Sequence, residues 1–447
     1  MPVVSTMANI AVGSLGFGRG SSDYWQAIIN DANFRNSTSY AQIYLSPNGN
    51  LIIAFQRDNI SSTYNGAGIV ALNKQAVFQW ERSMYYTTQN MSCNQAAIDS
   101  SNNIYLMSCS VTDDDQLLTK LDSSGSHQWT RRFYTTDQIN GGGIAINSTD
   151  ASLYFTSGIN TTSPDIGITK FATSGLTITW DEKFSSANTY DDLIHYCALD
   201  SSENIYILAR DLTEDNPVVA KYNSSGTFQW GKAYVSATSS NSANINGIVV
   251  DSSDNVYFSF ADLTLHKLYL VKINSSNVVQ WTRSISASGE TFSNTGDLAI
   301  DSSDNIYMTA SLSTSGAQKG IIAKYNSSGT LQFQRKVDFT VGGAIPSFGD
   351  FGIAVDADSM YLDVQIDGRI WLARLPKDGS NTGSWTTPVT MPSGSGVFTY
   401  SASSFTDASA TLTTGTNPAS STLTWTYSAT TLPSNSTTTP TVAKGVL

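Results

Sequence analysis

One short phrase recurs along this chain of 447 residues and constrains its fold more than any other feature. The phrase Asp-Ser-Ser-x-Asn-(Ile/Val)-Tyr appears in close copies, and weaker copies fill the intervals around them. The close copies begin at Asp99, Asp200, Asp251 and Asp301, and the weaker ones at Ser46, Asn147 and Asp356. Their spacing averages about 51 residues, so the sequence predicts seven copies of one supersecondary unit.

A second phrase alternates with the first in fixed order. It reads Lys-x-(Asn/Asp)-Ser-Ser-Gly and leads into an aromatic residue, as from Lys221 to Trp230. The aromatic recurs once per repeat, and we predict that it packs between neighbouring blades. These blade-packing aromatics are Trp25, Trp80, Trp129, Trp180, Trp230, Trp281 and Phe333.

Both phrases have the composition of tight β-turns. The first residue accepts hydrogen bonds from backbone N–H groups of its own turn, and the fourth stands where a hairpin needs a left-handed conformation. Gly125, Gly226 and Gly329 meet that need in the second phrase, and Asn102 meets it in the first. Glu203 fits the same position poorly, which predicts a strained copy.

Short runs rich in β-branched and aromatic residues lie between the turns, as at 247–250, 255–258, 268–272 and 278–281. Such runs are typical of strands, so each repeat contains four antiparallel strands with tight turns after the first and third. Four strands per repeat, with an aromatic at a fixed place, predict an all-β chain. We expect a seven-bladed β-propeller of four-stranded antiparallel blades.

The order of the two phrases resembles the bacterial SBBP beta-propeller repeat over residues 21–385, most closely at 195–335. The resemblance implies a propeller whose relatives look like secreted, surface or phage virion proteins of mixed role, without a shared catalytic motif. The chain departs from that pattern in two ways. Most of its Asp-Ser-Ser turns lack a glycine, and its third and seventh copies are degenerate.

We divide the chain into an N-terminal arm at 1–20, the propeller at 21–385 and a Ser/Thr-rich C-terminal β extension at 386–447. Trp25 and Trp385 both occupy a fourth-strand position, although seven blades have room for seven such strands. We expect the Trp25 strand to complete the last blade, because that closure removes an open edge. The extension is either a flexible linker or, as we expect, a segment packed on the propeller or on a neighbouring subunit.

Alternating strand direction predicts that both tight turns of every blade lie on one face of the propeller. The loops on the opposite face vary in sequence, and binding sites often use variable loops on a rigid scaffold. These loops span 111–116, 158–166, 212–216 and 311–319. The candidate interaction residues on that face are Asp113, Asp114, Asp115, Asp215 and His266.

Composition argues against several classes of function. Aromatic residues make up 11% of the chain, enough to fill a core, and the net charge of −12 disfavours binding to nucleic-acid phosphates. No window approaches the length of a membrane-spanning apolar helix, so we expect no membrane insertion. The first 20 residues lack a basic start followed by an apolar run, so we expect no conventional export.

Residues that could carry catalysis are sparse. His127, His195 and His266 belong to different repeats and have no recurring Ser, Cys or carboxylate beside them, so we predict no catalytic residues. His127 stands in a predicted strand. The Asp-rich turns offer oxygen ligands for calcium but lack the spacing of a calcium-binding loop. We predict no metal site and no cofactor, with calcium as the alternative.

Two of the three cysteines lie symmetrically about a turn. Cys93 and Cys109 are equidistant from Ser101, which places them opposite each other in the predicted hairpin. We expect two small buried side chains there, with a disulfide as the alternative.

These observations predict a non-enzymatic structural or interaction protein of a bacteriophage virion, as a nozzle, tip or fibre component of the tail. Its expected partners are other virion proteins in a symmetric oligomer, together with a glycan or receptor on the host surface. Two alternatives stay open. One is a glycan-binding propeller of the bacterial surface or periplasm, and the other is a polysaccharide-acting enzyme, which would need an acid/base pair.

Overall fold

The computed structural model describes most of the repeats and parts of both ends of the chain. The described residues are 9–14, 24–30, 41–57, 65–84, 90–110, 115–134, 138–160, 165–174, 177–185, 196–211, 215–235, 243–286, 290–292, 296–314, 317–341, 348–366, 369–380, 382–391, 394–402, 406–409, 413–414, 419–421 and 426–428.

Strands are the regular structure of these residues, and none of the chain described here forms a helix long and apolar enough to cross a membrane. The strands of the first half are β1 (Asn9–Ser14), β2 (Trp25–Asn30), β3 (Ala41–Leu45), β4 (Leu51–Arg57), β5 (Gly66–Leu72), β6 (Phe78–Met84), β7 (Met91–Ile98), β8 (Ile104–Ser110), β9 (Gln116–Leu121), β10 (His127–Tyr134), β11 (Gln138–Asn140), β12 (Ile144–Ile146), β13 (Ser152–Asn160), β14 (Asp165–Ala172), β15 (Thr177–Ser185), β16 (Tyr196–Leu199), β17 (Ile205–Asp211), β18 (Asn216–Tyr222) and β19 (Phe228–Val235). Those of the second half are β20 (Ala243–Val250), β21 (Val256–Asp262), β22 (Lys267–Ile273), β23 (Val279–Ser286), β24 (Thr291–Phe292), β25 (Leu298–Ile300), β26 (Ile306–Thr314), β27 (Ala317–Tyr325), β28 (Leu331–Val341), β29 (Phe348–Val355), β30 (Ser359–Ile366), β31 (Arg369–Pro376), β32 (Gly383–Met391), β33 (Gly394–Ala402), β34 (Thr406–Ser409), β35 (Thr413–Thr414), β36 (Ala419–Ser421) and β37 (Thr426–Ser428).

The described strands pair in seven antiparallel sheets, which we number 1 to 7 along the chain. The first strand is in two pieces in sheet 3, where β11 and β12 both pair with β13, and in sheet 6, where β24 and β25 both pair with β26. The repeat units of the sheets are β3–β6, β7–β10, β11–β15, β16–β19, β20–β23, β24–β28, and β29–β31 with β2.

Successive sheets lie side by side. Their first strands contact one another in the order β3, β7, β12, β16, β20, β25 and β29, and β29 in turn contacts β3. The hydrophobic core is divided among the interfaces between adjacent sheets. At one of them, Tyr206 and Leu208 of sheet 4 pack with Phe258 and Val271 of sheet 5. The chain is therefore an all-β propeller of four-stranded antiparallel blades.

Most of the described tight turns have the predicted left-handed residue at their fourth position, and Ser359 in the seventh copy of the first phrase is an exception. The backbone angle φ is 66° at Asn102, 75° at Gly125, 60° at Glu203 and 83° at Gly226. In the turn that begins at Asp251, the N–H of the fourth residue donates to the carbonyl of the first, which closes the turn. The prediction of left-handed fourth residues is confirmed, and it includes Glu203 despite its unfavourable side chain.

The N-terminal strand β2 closes the ring. It pairs with β31, with Trp25 opposite Arg374, and so supplies the fourth strand of sheet 7. The strand that carries Trp385, β32, instead pairs with β33. The predicted end of the propeller at 385 is therefore wrong: the last strand of the repeat units is β31, which ends at Pro376, and β32 belongs to the C-terminal extension.

Both ends of the chain add outer strands to the sheets. In the N-terminal arm, β1 pairs with β2 and becomes a fifth strand of sheet 7. In the extension, β33, β34, β35, β36 and β37 pair in turn with the fourth strands of sheets 6, 5, 4, 3 and 2. We call these five strands the outer belt. In its described strands, the extension packs on the propeller of its own chain.

Two further expectations need correction. Cys93 lies opposite Ser108, because a bulge between Cys93 and Ala96 shifts the register of the hairpin by one residue. Both thiols are free and buried, and burial raises the pKa of each to about 12. The predicted loop at 311–319 is for the most part a long hairpin of β26 and β27.

Candidate functional site

The polar residues of the repeated phrases form a cluster within each blade. In sheet 5, Asp251 accepts hydrogen bonds from the backbone N–H of Asn255 at 2.8 Å, from its side-chain amide at 2.9 Å, and from the Tyr257 hydroxyl at 3.0 Å. Lys272 lies 3.2 Å from the same carboxylate and 4.9 Å from the centre of the Tyr257 ring. Burial acts to raise the pKa of Asp251, but these hydrogen bonds outweigh it and lower the pKa.

The same Asp–Tyr–Lys arrangement recurs in other blades. Tyr206 donates to Asp200 at 3.2 Å, and Lys221 lies 4.8 Å from the centre of the Tyr206 ring. The carboxylates considered as calcium ligands are thus bonded to side chains of their own blade. Within the described ranges, no group of three or more His, Cys, Asp or Glu side chains is placed to hold a metal ion.

The left-handed residue of the first turn links neighbouring blades. Asp254 accepts hydrogen bonds from the N–H and hydroxyl of Ser201 in the preceding blade, at 2.8 and 2.9 Å. Asp304 does the same for Ser252. Glu203 accepts from Asn147 at 2.8 Å and from Tyr154 at 2.9 Å, both in the preceding blade. Sequence analysis assigned these residues to turn geometry and missed their inter-blade role.

The repeated aromatic and the left-handed glycine also meet across blades. The indole N–H of Trp180 donates to the carbonyl of Ser224 in the next blade at 3.0 Å. Gly226 lies so close to that indole that a Cβ on it would be 2.8 Å from Cδ2. The same contacts join Trp80 to Gly125 and Trp281 to Gly329. The side chains of the repeated phrases are therefore used to hold adjacent blades in register.

The first strands of the blades enclose a central channel with a cavity of about 290 Å³. Its polar lining includes Gln42, Tyr44, Gln95, Tyr196 and Asp297. The lining contains no lysine, arginine or histidine, so Asp297 is its one formally charged side chain among the described residues. The channel lining therefore varies in side-chain chemistry from blade to blade, unlike the repeated Asp, Ser and Asn residues of the tight turns.

The channel side chains reach across to the next blade. Tyr44 accepts a hydrogen bond from the N–H of Ala96 at 2.9 Å, and Gln95 accepts one from the N–H of Ile144 at 3.3 Å. Asp297 accepts from the N–H of Leu298 at 2.7 Å. Burial raises the pKa of Asp297 to about 7, against the lowering effect of backbone N–H groups. At neutral pH this carboxyl group can therefore exchange a proton.

The candidate loop residues do not form one site. Asp113 and Asp114 lie outside the described residues, whereas Asp115 is buried and bonded to Arg132. Asp215 in sheet 4 lies 3.8 Å from the Arg210 guanidinium, and His266 is an exposed turn residue of sheet 5. Each of these described residues belongs to a different blade.

Of the two remaining histidines, His127 lies among the described residues. His127 begins β10, and its ring nitrogen lies 2.9 Å from the Thr130 hydroxyl within the same strand. Burial lowers the pKa of His127. His195 lies outside the described residues.

Comparison with known proteins found only a distant likeness in fold. No family model and no curated protein matches the chain. The polysaccharide lyase Uly1 aligns with a TM-score of 0.47 and 9% identity, over 83% of this chain and 98% of its own. The β-propeller domain of the Trilobed protease from Pyrococcus furiosus gives 0.45 and 9%, over 77% and 100%. A protein of unknown function from Bacteroides caccae gives 0.36 and 11%, over 61% and 92%. Likeness at this level assigns no activity.

Proposed function

We propose that this chain is a non-enzymatic structural and interaction protein, with its seven sheets as the blades of one closed propeller. The observation that supports this role is that the repeated polar residues bond within and between blades. Asp, Tyr, Lys and Trp side chains that recur in most of the blades bond to their own or the next blade, so the repeat builds rigidity. A rigid ring with strands from both ends added to its rim is suited to assembly with other proteins.

The setting we propose is a bacteriophage virion, as a nozzle, tip or fibre component of the tail. This setting rests on the resemblance of the repeat and on the outer belt, whose described strands pair with sheets 2 to 6. Other virion proteins, in a symmetric oligomer, and a host-surface glycan or receptor are the partners that we propose.

The test is to purify phage particles from the source of this gene and to measure their composition by mass spectrometry. We expect the chain in stoichiometric amount, and electron microscopy of the particles should show propeller-shaped density in the tail. Absence from particles, together with a monomer exported by its native cell, would contradict the virion setting. Native mass spectrometry of the purified chain tests the symmetric oligomer separately.

A second candidate function is binding of a small glycan in the central channel. It is favoured by the cavity of about 290 Å³ and by its mixture of an aromatic ring, amides and a carboxyl group. Titration calorimetry with monosaccharides would detect it, and Asp297→Asn, which keeps the shape of the side chain, should weaken it. Product formation by the wild type and not by Asp297→Asn would instead establish an enzyme.

A further inference from the structure

The outer belt meets sheets 2 to 6 at the same position along their fourth strands. In each fourth strand we consider the residue four positions after the repeated aromatic, for instance Phe133 after Trp129. The belt residue opposite that position is Tyr400 in sheet 6, Asp407 in sheet 5, Thr414 in sheet 4, Ser420 in sheet 3 and Tyr427 in sheet 2. The belt thus advances by seven, seven, six and seven residues from one blade to the next.

A step of seven residues can span at most roughly 25 Å. The belt also follows the blades in reverse order without skipping one. The next blade in this direction is sheet 1.

Sheet 1 differs from the other six in its outer edge. The arm strand β1 covers sheet 7, with Ile10 opposite Ile29, and the belt covers sheets 2 to 6. Among the described strands, none lies beside the outer edge of β6. The outer edge of a fourth strand offers backbone N–H and C=O groups to a further strand of suitable length, as the other fourth strands show.

We propose that the outer edge of β6 is a strand-binding site and that its occupant is the segment of this chain that follows Ser428. The sequence continues for 19 residues beyond Ser428, whereas one more step needs six or seven. A step of seven places Ser434 opposite Met84, the position four residues after Trp80. A step of six would place Pro433 there, which has no N–H to donate, so the seven-residue register is favoured. This pairing extends the outer belt to sheet 1, so that each of the seven sheets, with β1 on sheet 7, has an added outer strand. It is independent of the proposed function.

Disulfide trapping tests the pairing and its register. The register puts Ser83 opposite Asn435, which matches the pair Ser284 and Ala408 in sheet 5. The double variant Ser83→Cys with Asn435→Cys should form an intramolecular disulfide under mild oxidation, seen as a mobility shift on a non-reducing gel. The matched control is Ser284→Cys with Ala408→Cys. An offset pair, Ser83→Cys with Thr438→Cys, should form little.

Each outcome decides the proposal, provided that the control pair forms its bond. A disulfide-linked dimer of the Ser83 and Asn435 variant would show that a second copy occupies the edge, which overturns the assignment to the same chain. Failure to form any bond would also overturn it.

Hydrogen exchange gives an independent measure that needs no new side chain. In a chain ended at Ser428, the amide protons at the outer edge of β6 should exchange about fivefold faster than in the full chain, since each lost hydrogen bond costs about 1 kcal/mol. The corresponding amides of β23, which pairs with β34, should be unchanged. Equal exchange of β6 in both chains would contradict the proposal.

Discussion

Replacing Gly226 with alanine should destabilise the propeller more than the same change at Gly49. Both glycines are left-handed, with φ of 83° and 85°, so each pays about 1–2 kcal/mol for a Cβ in that conformation. The new Cβ at Gly226 would lie 2.8 Å from the Trp180 indole. That indole is fixed by its hydrogen bond to Ser224 and packs edge-on against Tyr154, with ring centres 6.0 Å apart. Overpacking against a fixed ring adds about 1–3 kcal/mol, giving roughly 3 kcal/mol in total.

The Gly49 variant is the matched control. Its new Cβ would lie 2.6 Å from Cε of Lys74, a flexible side chain that can shift at a cost limited to its partly exposed ion pair with Asp356. We expect a loss of about 1–2 kcal/mol for Gly49→Ala, measured for both variants by guanidinium unfolding at 25 °C. Equal losses would refute the reasoning, because they would show that the Trp180 contact adds nothing to the backbone strain.

The blade interface of sheet 5 shows how a side chain is tolerated at this position. Asn277 stands where other copies have glycine, at φ of 62°. There the indole N–H of Trp230 lies 3.4 Å from the carbonyl of Ser275, compared with 3.0 Å for the Trp180 and Ser224 pair. The asparagine side chain also accepts a hydrogen bond from Tyr234. Alanine has no such acceptor, so it would bear the cost of crowding without this compensation.

Three further predictions concern the carboxylates. Burial acts to raise the pKa of Asp356, but hydrogen bonds from Lys74 and other donors lower it to about 2. The ionised carboxylate therefore stabilises the fold fully above about pH 4, and this stabilisation is lost as pH falls towards 2. In urea unfolding, the free energy of unfolding of Asp356→Asn should fall less between pH 4 and pH 2 than that of the wild type, by on the order of 1–2 kcal/mol. Asp297 has a pKa raised to about 7, so the wild type should lose stability as pH rises from about 4 to 7, and Asp297→Asn should be the more stable protein at pH 8 but not at pH 4. Asp254→Ala removes two acceptors for Ser201 from a left-handed position and should cost about 2 kcal/mol in thermal unfolding, whereas Asp254→Asn should cost less than 1.

Local structure could be predicted from the sequence because its causes are local. A left-handed fourth residue follows from turn chemistry, and Asn102, Gly125 and Gly226 all adopt it. The pairing of the Trp25 strand with the last blade could also be predicted, since a blade lacking its fourth strand would leave an edge open.

Contacts between repeats were harder to predict because they depend on how one turn lies against the next. The acids Glu203, Asp254 and Asp304 occupy a position where glycine or asparagine would suffice for the turn. The presence of Asp or Glu at this position in three copies could have indicated a second role for these residues. That role is to accept hydrogen bonds from the preceding blade. The register of Cys93 and Cys109 was misjudged for a related reason, since a bulge in one strand cannot be read from symmetry about a turn.

The channel wall shows where the blades differ from one another. Four residues before the start of each first turn, the repeats carry Gln42, Gln95, Gly143, Tyr196, Gly247, Asp297 and Gly352. The turns themselves vary little, because each must bond to its neighbours. At the channel position the backbone geometry is shared, yet the side chain ranges from none to an aromatic ring or a buried carboxyl group. Blade packing requires glycine at 143, where a Cβ would lie 2.7 Å from the backbone N of Cys197 in the next blade, but it leaves room for side chains at Tyr196 and Asp297. If the channel binds a ligand, as proposed above, variants at Tyr196 and Asp297 should change that binding.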